Sequence, residues 1–196
     1  MTKGILTALV LSAAMVQAAQ ASECVSISKI AGAGPFRDAS IQLRDGRQVD
    51  MKIVEFFSIA NPPQPVPGGF ARVDPQECFG NPNSLRLGNA SLMVGIEGGS
   101  ELISFNFCDL GGYENVGANE DLPPKFIDDV RRINGEVLEN SRGAPVEMEV
   151  SRGPDVVNSG GIVIGYEAKL VYRGEAPTDV VLFGGQELFI ESICID

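Results

Sequence analysis

Acidic side chains are the residues of this chain that could best do chemistry, because the sequence contains no histidine. The lack of imidazole excludes a Ser-His-Asp or Cys-His catalytic set and removes the commonest transition-metal ligand. Paired carboxylates are the common catalytic arrangement that is left, since two acids about 5 to 10 Å apart can cleave a glycosidic bond. Four such acids lie on or beside the strongest strand patterns, namely Asp109, Glu114, Glu187 and Glu191.

Most acidic side chains simply face water, and nothing in the spacing of these four makes them converge. We therefore predict no catalytic residue and lean against an enzyme. A polysaccharide-acting hydrolase that uses paired carboxylates is the alternative function.

The segment that follows the strongest strand is rich in oxygen ligands. Carboxylates, side-chain amides and carbonyls freed by glycine lie close together there, and hard cations such as Ca²⁺ take several such oxygens. The sequence predicts a cation or ligand site formed by Asp109, Glu114, Asn115, Asn119, Glu120 and Asp121. The spacing does not match an EF-hand, and Ca²⁺ is the one cofactor that we consider.

Glu55 interrupts the apolar face of a predicted strand over residues 48–59, where it follows Val49, Met51 and Ile53. Ionised groups are rarely buried without a purpose, so Glu55 either points into a pocket or marks a rim or bulge of the strand. Residues 61–69 come next and carry four prolines. Proline fixes φ and lacks a backbone donor, so this segment is predicted as a long loop within the domain.

Alternating apolar and polar residues define the fold class. The strongest alternation lies in residues 102–110, where Ile103, Phe105 and Phe107 share one face; this predicts a strand at the centre of the core. Further strands, about ten residues apart with glycine, proline and asparagine between them, are typical of a sandwich or jelly roll. They are predicted at 24–30, 40–43, 48–59, 70–73, in a hairpin over 84–96, and at 146–150, 161–172, 180–183 and 188–195.

The pattern has no strand-helix-strand alternation. We therefore predict an all-β fold, an antiparallel β-sandwich of jelly-roll type with at most one short helix. That helix would lie over residues 126–133, where a strand and a turn fit the pattern equally well.

The first 21 residues have the pattern of an export signal. Lys3 precedes an apolar stretch of about a dozen residues, too few for the roughly 20 that span a bilayer, and Ala19-Gln20-Ala21 fits a cleavage site. We predict a signal peptide over 1–21, a single β-sandwich domain over 22–196 without a membrane span, and a secreted or periplasmic location.

Four cysteines follow the predicted signal, which favours two disulfides in an exported protein. Three pairings are open. We favour Cys24 with Cys194, because both lie near a terminus and domain ends often meet, which leaves Cys78 with Cys108. Metal binding is a weaker alternative, since the chain has neither a C-x-x-C pair nor histidine.

The chain is acidic, with 26 Asp and Glu against 15 Lys and Arg and a net charge of −11. Such a charge repels phosphate backbones and anionic lipid, so nucleic-acid and membrane binding are not expected. Cationic partners fit the charge, and so does solubility alone.

Three segments, 83–92, 103–115 and 184–194, resemble a group of exported bacterial β-sandwich proteins that often carry cell-surface anchoring signals. The resemblance implies export and a sandwich fold, and it assigns no catalytic or binding residue. We predict a secreted non-catalytic module that binds an extracellular glycan or surface protein, or forms part of an extracellular layer. Because the chain has no Trp, stacking on sugars would fall to Tyr113, Tyr166 and Tyr172.

Overall fold

Thirteen strands form one continuous antiparallel sheet across residues 22–75 and 83–196, the part of the chain that the computed structural model describes. The prediction of an all-β antiparallel fold is confirmed. The strands are β1 (Glu23–Ser26), β2 (Gly34–Pro35), β3 (Ala39–Gln42), β4 (Gln48–Glu55), β5 (Phe70–Asp74), β6 (Ser84–Gly88), β7 (Ala90–Asp109), β8 (Glu114–Gly117), β9 (Phe126–Asp128), β10 (Val137–Glu139), β11 (Pro145–Val157), β12 (Val163–Gly185) and β13 (Leu188–Ile195). A helical turn, α1 (Ile27–Ile30), and a 3-10 helix (Val130–Arg132) complete the described elements.

Two long strands, β7 and β12, run through the whole sheet. The second half of β7 lies between β12 and β13, and its first half lies between β4 and the end of β12. Gly98 and Gly99, both at positive φ near 75°, bend β7 between these halves, a conformation that glycine adopts at no steric cost. The pairing of β12 with β7 shifts register opposite this bend, between Arg173 and Thr178.

The sheet folds back on itself at the bend. Leu170 of β12 is paired with Phe105, and Phe183 lies thirteen positions further along the same strand, about 40 Å away if β12 were straight. The rings of Phe105 and Phe183 are nevertheless only 5.4 Å apart, and Phe107 lies 4.9 Å from Phe183. Two sheet layers therefore pack face to face as in a sandwich, while the jelly-roll connectivity stays a prediction.

The core between the layers is built by the predicted central strand. Ile103, Phe105 and Phe107 are fully buried, which confirms the face assigned from their alternation. Tyr172 packs edge-on against Phe105 and donates its hydroxyl to the carbonyl of Leu182 at 2.7 Å, so its polar atom is satisfied inside the core.

Two predicted elements are wrong in detail. The strand predicted over 24–30 ends at Ser26, and the chain continues as α1. Ile27 and Ile30, three residues apart, share one face of a helical turn but would lie on opposite faces of a strand. The hairpin predicted over 84–96 does not form, because β6 pairs with β5 and β13 instead of β7. A single residue, Asn89 at φ 50°, joins β6 to β7, whereas the tightest common hairpins need two.

Other predicted boundaries shift. The strands predicted at 161–172 and 180–183 are parts of the single strand β12, and β4 ends at Glu55 instead of residue 59. Residues 126–133, where helix and strand-turn were both open, form β9 followed by the 3-10 helix. The predicted signal over 1–21 lies outside the described residues. Across the described ranges no helix has the length and apolar character needed to cross a membrane.

The predicted bridge between Cys24 and Cys194 is present. These residues lie directly opposite each other in the β1–β13 pair, so the bridge ties the first described strand to the last across a sequence separation of 170. Cys108 is buried and disulfide-bonded, and Cys78 lies outside the described residues, so the second predicted pairing stays a prediction.

We expect replacement of both Cys24 and Cys194 by serine to lower the free energy of unfolding by about 3 to 5 kcal/mol. In the chain-entropy model this loop is long enough for a contribution near the upper end of the usual range. Urea titration of the double variant without reductant measures the loss, since a reductant would also act on the disulfide of Cys108. An unchanged unfolding midpoint would show that pairing of β1 with β13 does not need the covalent link.

Candidate functional site

The six residues predicted as a cation or ligand site separate into three places. Asp109 and Glu114 form a buried acidic pair, Asn115 holds a loop, and Asn119, Glu120 and Asp121 line an exposed cleft. No group of three or more His, Cys, Asp or Glu side chains placed to hold a metal ion occurs within residues 22–75 and 83–196. The side-chain geometry therefore gives the calcium hypothesis no support.

The acidic pair lies where the core meets the end of β7. Asp109 is the last residue of β7 and accepts the N–H of Gly111 at 2.7 Å, closing a tight turn. Glu114 begins β8, and its Oε2 accepts the N–H of Val130 at 2.6 Å. The other oxygen of Glu114, Oε1, is buried and has no hydrogen-bond partner. Such an orphaned carboxylate oxygen is costly inside a protein.

Burial changes the protonation of this pair. It raises the pKa of Glu114 to about 8, and the negative charge of Asp109 adds to the rise, while the Val130 N–H and the charge of Arg131 oppose it. Burial also raises the pKa of Asp109, against the hydrogen bond from Gly111. Glu114 is therefore protonated at neutral pH, which avoids an ionised carboxylate in the core.

Three further charged or polar groups surround the pair. Asp129 accepts from the Nε of Arg131 at 2.7 Å, and this hydrogen bond keeps the pKa of Asp129 below its usual value. Tyr166 lies opposite Asp109 in the β7–β12 pair. The hydroxyl of Tyr166 lowers the pKa of Asp109, although it lacks the geometry of a full hydrogen bond. Burial raises the pKa of Tyr166 itself.

Tyr166 also lies between two guanidinium groups. The Cζ of Arg152 is 5.0 Å from its ring centroid and that of Arg131 is 5.9 Å away, both within range of a cation–π contact.

The three tyrosines predicted to stack on sugars are covered. Tyr166 and Tyr172 are buried, and Tyr113 stacks on Phe56 with ring centroids 5.3 Å apart. None of the three is an open platform for a sugar ring.

Asn115 fixes the loop that contains the prolines. Its Oδ1 accepts the N–H of Phe57 at 2.7 Å and its Nδ2 donates to the carbonyl of Phe57 at 3.0 Å, all in the interior. The loop closes on itself through hydrogen bonds from Ser58 N to Gln64 O and from Val66 N to Phe56 O. We call residues 56–66 the strap. The amide of Asn115 thus substitutes for a backbone partner and holds the strap to β8.

A cleft of about 560 Å³ lies beside the strap, and we call it the strap cleft. Its walls are mostly apolar, with Glu55 and Asn89 as the polar exceptions. They are formed by Ile53, Val54, Glu55, Phe56, Val66, Pro67, Gly68, Gly69, Asn89, Ala90 and Leu122. Gly69 is required here, since a Cβ would come within 2.0 Å of the carbonyl oxygen of Asn89.

Two features of the strap cleft are those of a binding site. Leu122 is 42% exposed although it is a large apolar residue, and the Oδ1 of Asn89 is shielded from solvent without a hydrogen-bond partner. The sequence left two readings of Glu55 open, a pocket or the rim of the strand. Glu55 is exposed at the last position of β4, which is the rim, and it is also part of the cleft wall.

The exposed acidic cleft holds the remaining predicted residues. Glu120 and Asp121 line it together with Glu139 and Asp179, and Asn119 and Asn140 are also part of the wall. Asn119 donates to the carbonyl of Glu139 at 3.3 Å, and the hydroxyl of Ser141 donates to Asp179. Most oxygen atoms of the acidic cleft thus hold local turns or face water.

The four predicted carboxylates do not meet in one described cleft. Asp109 and Glu114 are about 5% and 1% exposed. Glu187 is exposed in the turn before β13, where its carbonyl accepts the N–H of Leu110, and Glu191 occupies a bulge of β13. Sequence reasoning missed Asp129, Arg131 and Tyr166 around Glu114, and it missed Asn89 and Leu122 in the strap cleft. The sequence placed Asn89 only inside the hairpin predicted over 84–96.

Comparison with protein-family models, with curated proteins and with solved structures found no match for this chain.

Glu114 should make the protein less stable as the pH rises. The pKa of Glu114 is about 8 in the folded state, against an ordinary value of 4.5 for an exposed glutamate, so the folded state holds an extra proton between these values. Stability is then full below about pH 4.5 and is lost as the pH rises through about 8; at about 1.4 kcal/mol per pKa unit the change is a few kcal/mol.

Urea titrations at several pH values from 5 to 9 measure this effect. We expect Glu114→Gln to flatten the slope, because the amide keeps an acceptor for Val130 and cannot ionise. Glu120→Gln, at an exposed position, is the control and should follow the wild type. Parallel curves for Glu114→Gln and wild type would contradict the assignment.

Proposed function

We propose that this protein is a secreted, non-catalytic β-sandwich module that binds an extracellular glycan in the strap cleft. The observation that carries the proposal is the wall of this cleft, which is apolar except for one exposed carboxylate, Glu55, and one amide, Asn89, whose Oδ1 has no partner. Ligand sites are commonly concave and apolar with a few polar groups that fix orientation.

A sugar ring matches this wall chemically. Its C–H faces can pack on Pro67, Val66 and Leu122, and its hydroxyls can donate to the carboxylate of Glu55 and to the Oδ1 of Asn89. A donated hydrogen bond to Asn89 would satisfy an oxygen that is otherwise orphaned. The gain in binding free energy is larger than for an exposed acceptor, because folding has already removed water from that oxygen.

Rigidity of the strap confines the rearrangement that binding needs to the side chain of Asn89, whose Oδ1 is shielded from solvent in the free protein. The strap is held by the two hydrogen bonds of Asn115 and by the stacking of Phe56 on Tyr113. A wall held in place loses little conformational entropy when a ligand binds. Export is part of the proposal and is supported by the signal pattern of residues 1–21 and by the disulfide between Cys24 and Cys194.

A glycan array followed by titration calorimetry tests the proposal. We expect Asn89→Gly to weaken the best ligand about tenfold, the usual effect of losing one hydrogen bond from a shielded site. Glu55→Gln keeps an acceptor but removes the charge, so we expect it to weaken the ligand as well, because hydrogen bonds to charged groups are the stronger ones. Glycine suits the positive φ of Asn89, so that variant removes the amide and leaves the turn. Glu120→Gln in the acidic cleft is the matched control. An array without any bound glycan, or full affinity in both cleft variants, would refute the proposal.

A polysaccharide-acting hydrolase is the second candidate, because Asp109 and Glu114 form a carboxylate pair whose pKa values are both raised. Buried acids of this kind are found in catalytic sites. Neither residue lines the strap cleft, however, and Glu114 is only 1% exposed, so a glycosidic bond would need a path that the described structure does not open.

We expect no hydrolysis of any glycan that the array identifies. Reducing-end assays over long incubations measure it, with Asp109→Asn, Glu114→Gln, Glu187→Gln and Glu191→Gln prepared in parallel. Turnover in the wild type that Asp109→Asn or Glu114→Gln abolishes would replace the binding proposal by the enzyme.

A further inference from the structure

A second pocket lies on the sheet face formed by β5 and β6, and its chemistry differs from that of the strap cleft. It has a volume of about 370 Å³, at the lower end of the roughly 300 to 1,000 Å³ typical of small-ligand sites. Pro35, Phe70, Ala71, Arg72 and Arg86 line it. We call it the arginine pocket.

The two arginines are direct cross-strand neighbours. Arg72 of β5 is paired with Arg86 of β6, so their side chains leave the same face of the sheet. Like charges directly opposite each other destabilise an antiparallel pair. A cost of this kind needs a compensating anion, and the chain has 26 acidic residues from which to supply one.

The protein supplies only one carboxylate among the described residues. Asp74 binds the Nε of Arg72 at 2.7 Å, and its other oxygen is 3.7 Å from Arg86. Within residues 22–75 and 83–196 one carboxylate thus serves two guanidinium groups, which leaves their positive charge only partly compensated. The Nε of Arg86 is buried without a hydrogen-bond partner.

Aromatic rings hold Arg86 in place. Its Cζ is 5.4 Å from the ring centroid of Phe70 and 5.5 Å from that of Phe189. The guanidinium is therefore oriented before any ligand arrives, so less side-chain entropy is lost when it pairs with an anion. The ring of Phe70 packs on Gly88 and remains 43% exposed at the pocket, an unusual exposure for phenylalanine.

We propose that the arginine pocket is an anion subsite for a carboxylated sugar, with Arg86 and Arg72 pairing with the carboxylate and Phe70 and Pro35 packing against the ring. A guanidinium matches the two oxygens of a carboxylate in a bidentate geometry. The apolar side chains in the lining favour a carboxylate attached to a ring with C–H faces over a small inorganic anion.

This inference rests on the proposed glycan function and names its substrate class, an acidic polysaccharide. The overall charge of −11 does not oppose it at short range, because salt at physiological strength screens charges beyond about 8 Å. Gly69 of the strap cleft and Phe70 of the arginine pocket are consecutive residues, so one chain of sugars running along the start of β5 could contact both.

Titration calorimetry on the whole protein with trigalacturonate and with its fully methyl-esterified form tests the subsite. Esterification keeps the sugar and removes the charge. We expect the acid to bind at least about tenfold more tightly than the ester, and Arg86→Gln and Arg72→Gln to abolish that difference, since hydrogen bonds to charged groups are the strong ones. Arg173→Gln, which removes one charge from an exposed pair with Glu149, is the control and should keep it.

Equal affinity for acid and ester in the wild type, or an unchanged preference in Arg86→Gln, would overturn the subsite. If Arg86→Gln does not fold, the Nε–H resonance of Arg86 in the wild type decides: a shift with free galacturonate supports the subsite, and no shift refutes it.

Glu55→Gln separates the two proposals. If the wild type binds acid and ester equally and Glu55→Gln loses both, the strap cleft proposal stands and the subsite is refuted. If galacturonate shifts the resonance of Arg86 but no ligand found on the array depends on Glu55, the subsite stands and the strap cleft proposal is refuted.

Discussion

The contact of Phe105 and Phe107 with Phe183 is the interaction on which the rest of the fold depends. It joins residues on neighbouring strands that would be far apart in a flat sheet, so it exists only because β7 and β12 bend together. Aromatic pairs contribute about 0.5 to 1.5 kcal/mol beyond the area they bury. Because both layers are built on the same two strands, neither layer can keep its core if the bend opens, and unfolding should be cooperative.

The same packing explains which polar groups are tolerated inside. Asn115 is buried, but its amide makes both hydrogen bonds to the backbone of Phe57, so its burial has little net cost. Glu114 is equally buried, but only one of its two carboxyl oxygens has a hydrogen-bond partner. Its carboxyl group adapts by retaining a proton, and Asp129 stays ionised nearby because Arg131 accompanies it. The two acids thus differ in protonation because their partners differ.

The sequence predicts the parts of the fold that depend on local alternation. The face of Ile103, Phe105 and Phe107 and the strands near 40, 50, 70 and 190 follow from a period of two, which the core then enforces. The pairing partners do not follow, because the path at Asn89 depends on one backbone angle. The sequence grouped Asp109 and Glu114 in one segment, whereas Arg131 and Tyr166 approach them from the 3-10 helix and from β12 and leave no local signal.

Both proposed sites lie where a buried polar group lacks a hydrogen-bond partner. At the strap cleft the chain passes the backbone carbonyl of Asn89 so closely that only glycine fits at position 69, and the side-chain Oδ1 of Asn89 has no partner. At the arginine pocket a like-charged cross-strand pair leaves a guanidinium with too few acceptors. A fold optimised for stability alone would replace Asn89 by glycine and one arginine by a neutral residue. The two pockets are lined by consecutive residues, Gly69 and Phe70, so the proposed ligand that carries both hydroxyls and carboxylates would match the unsatisfied acceptor and the unsatisfied donor together.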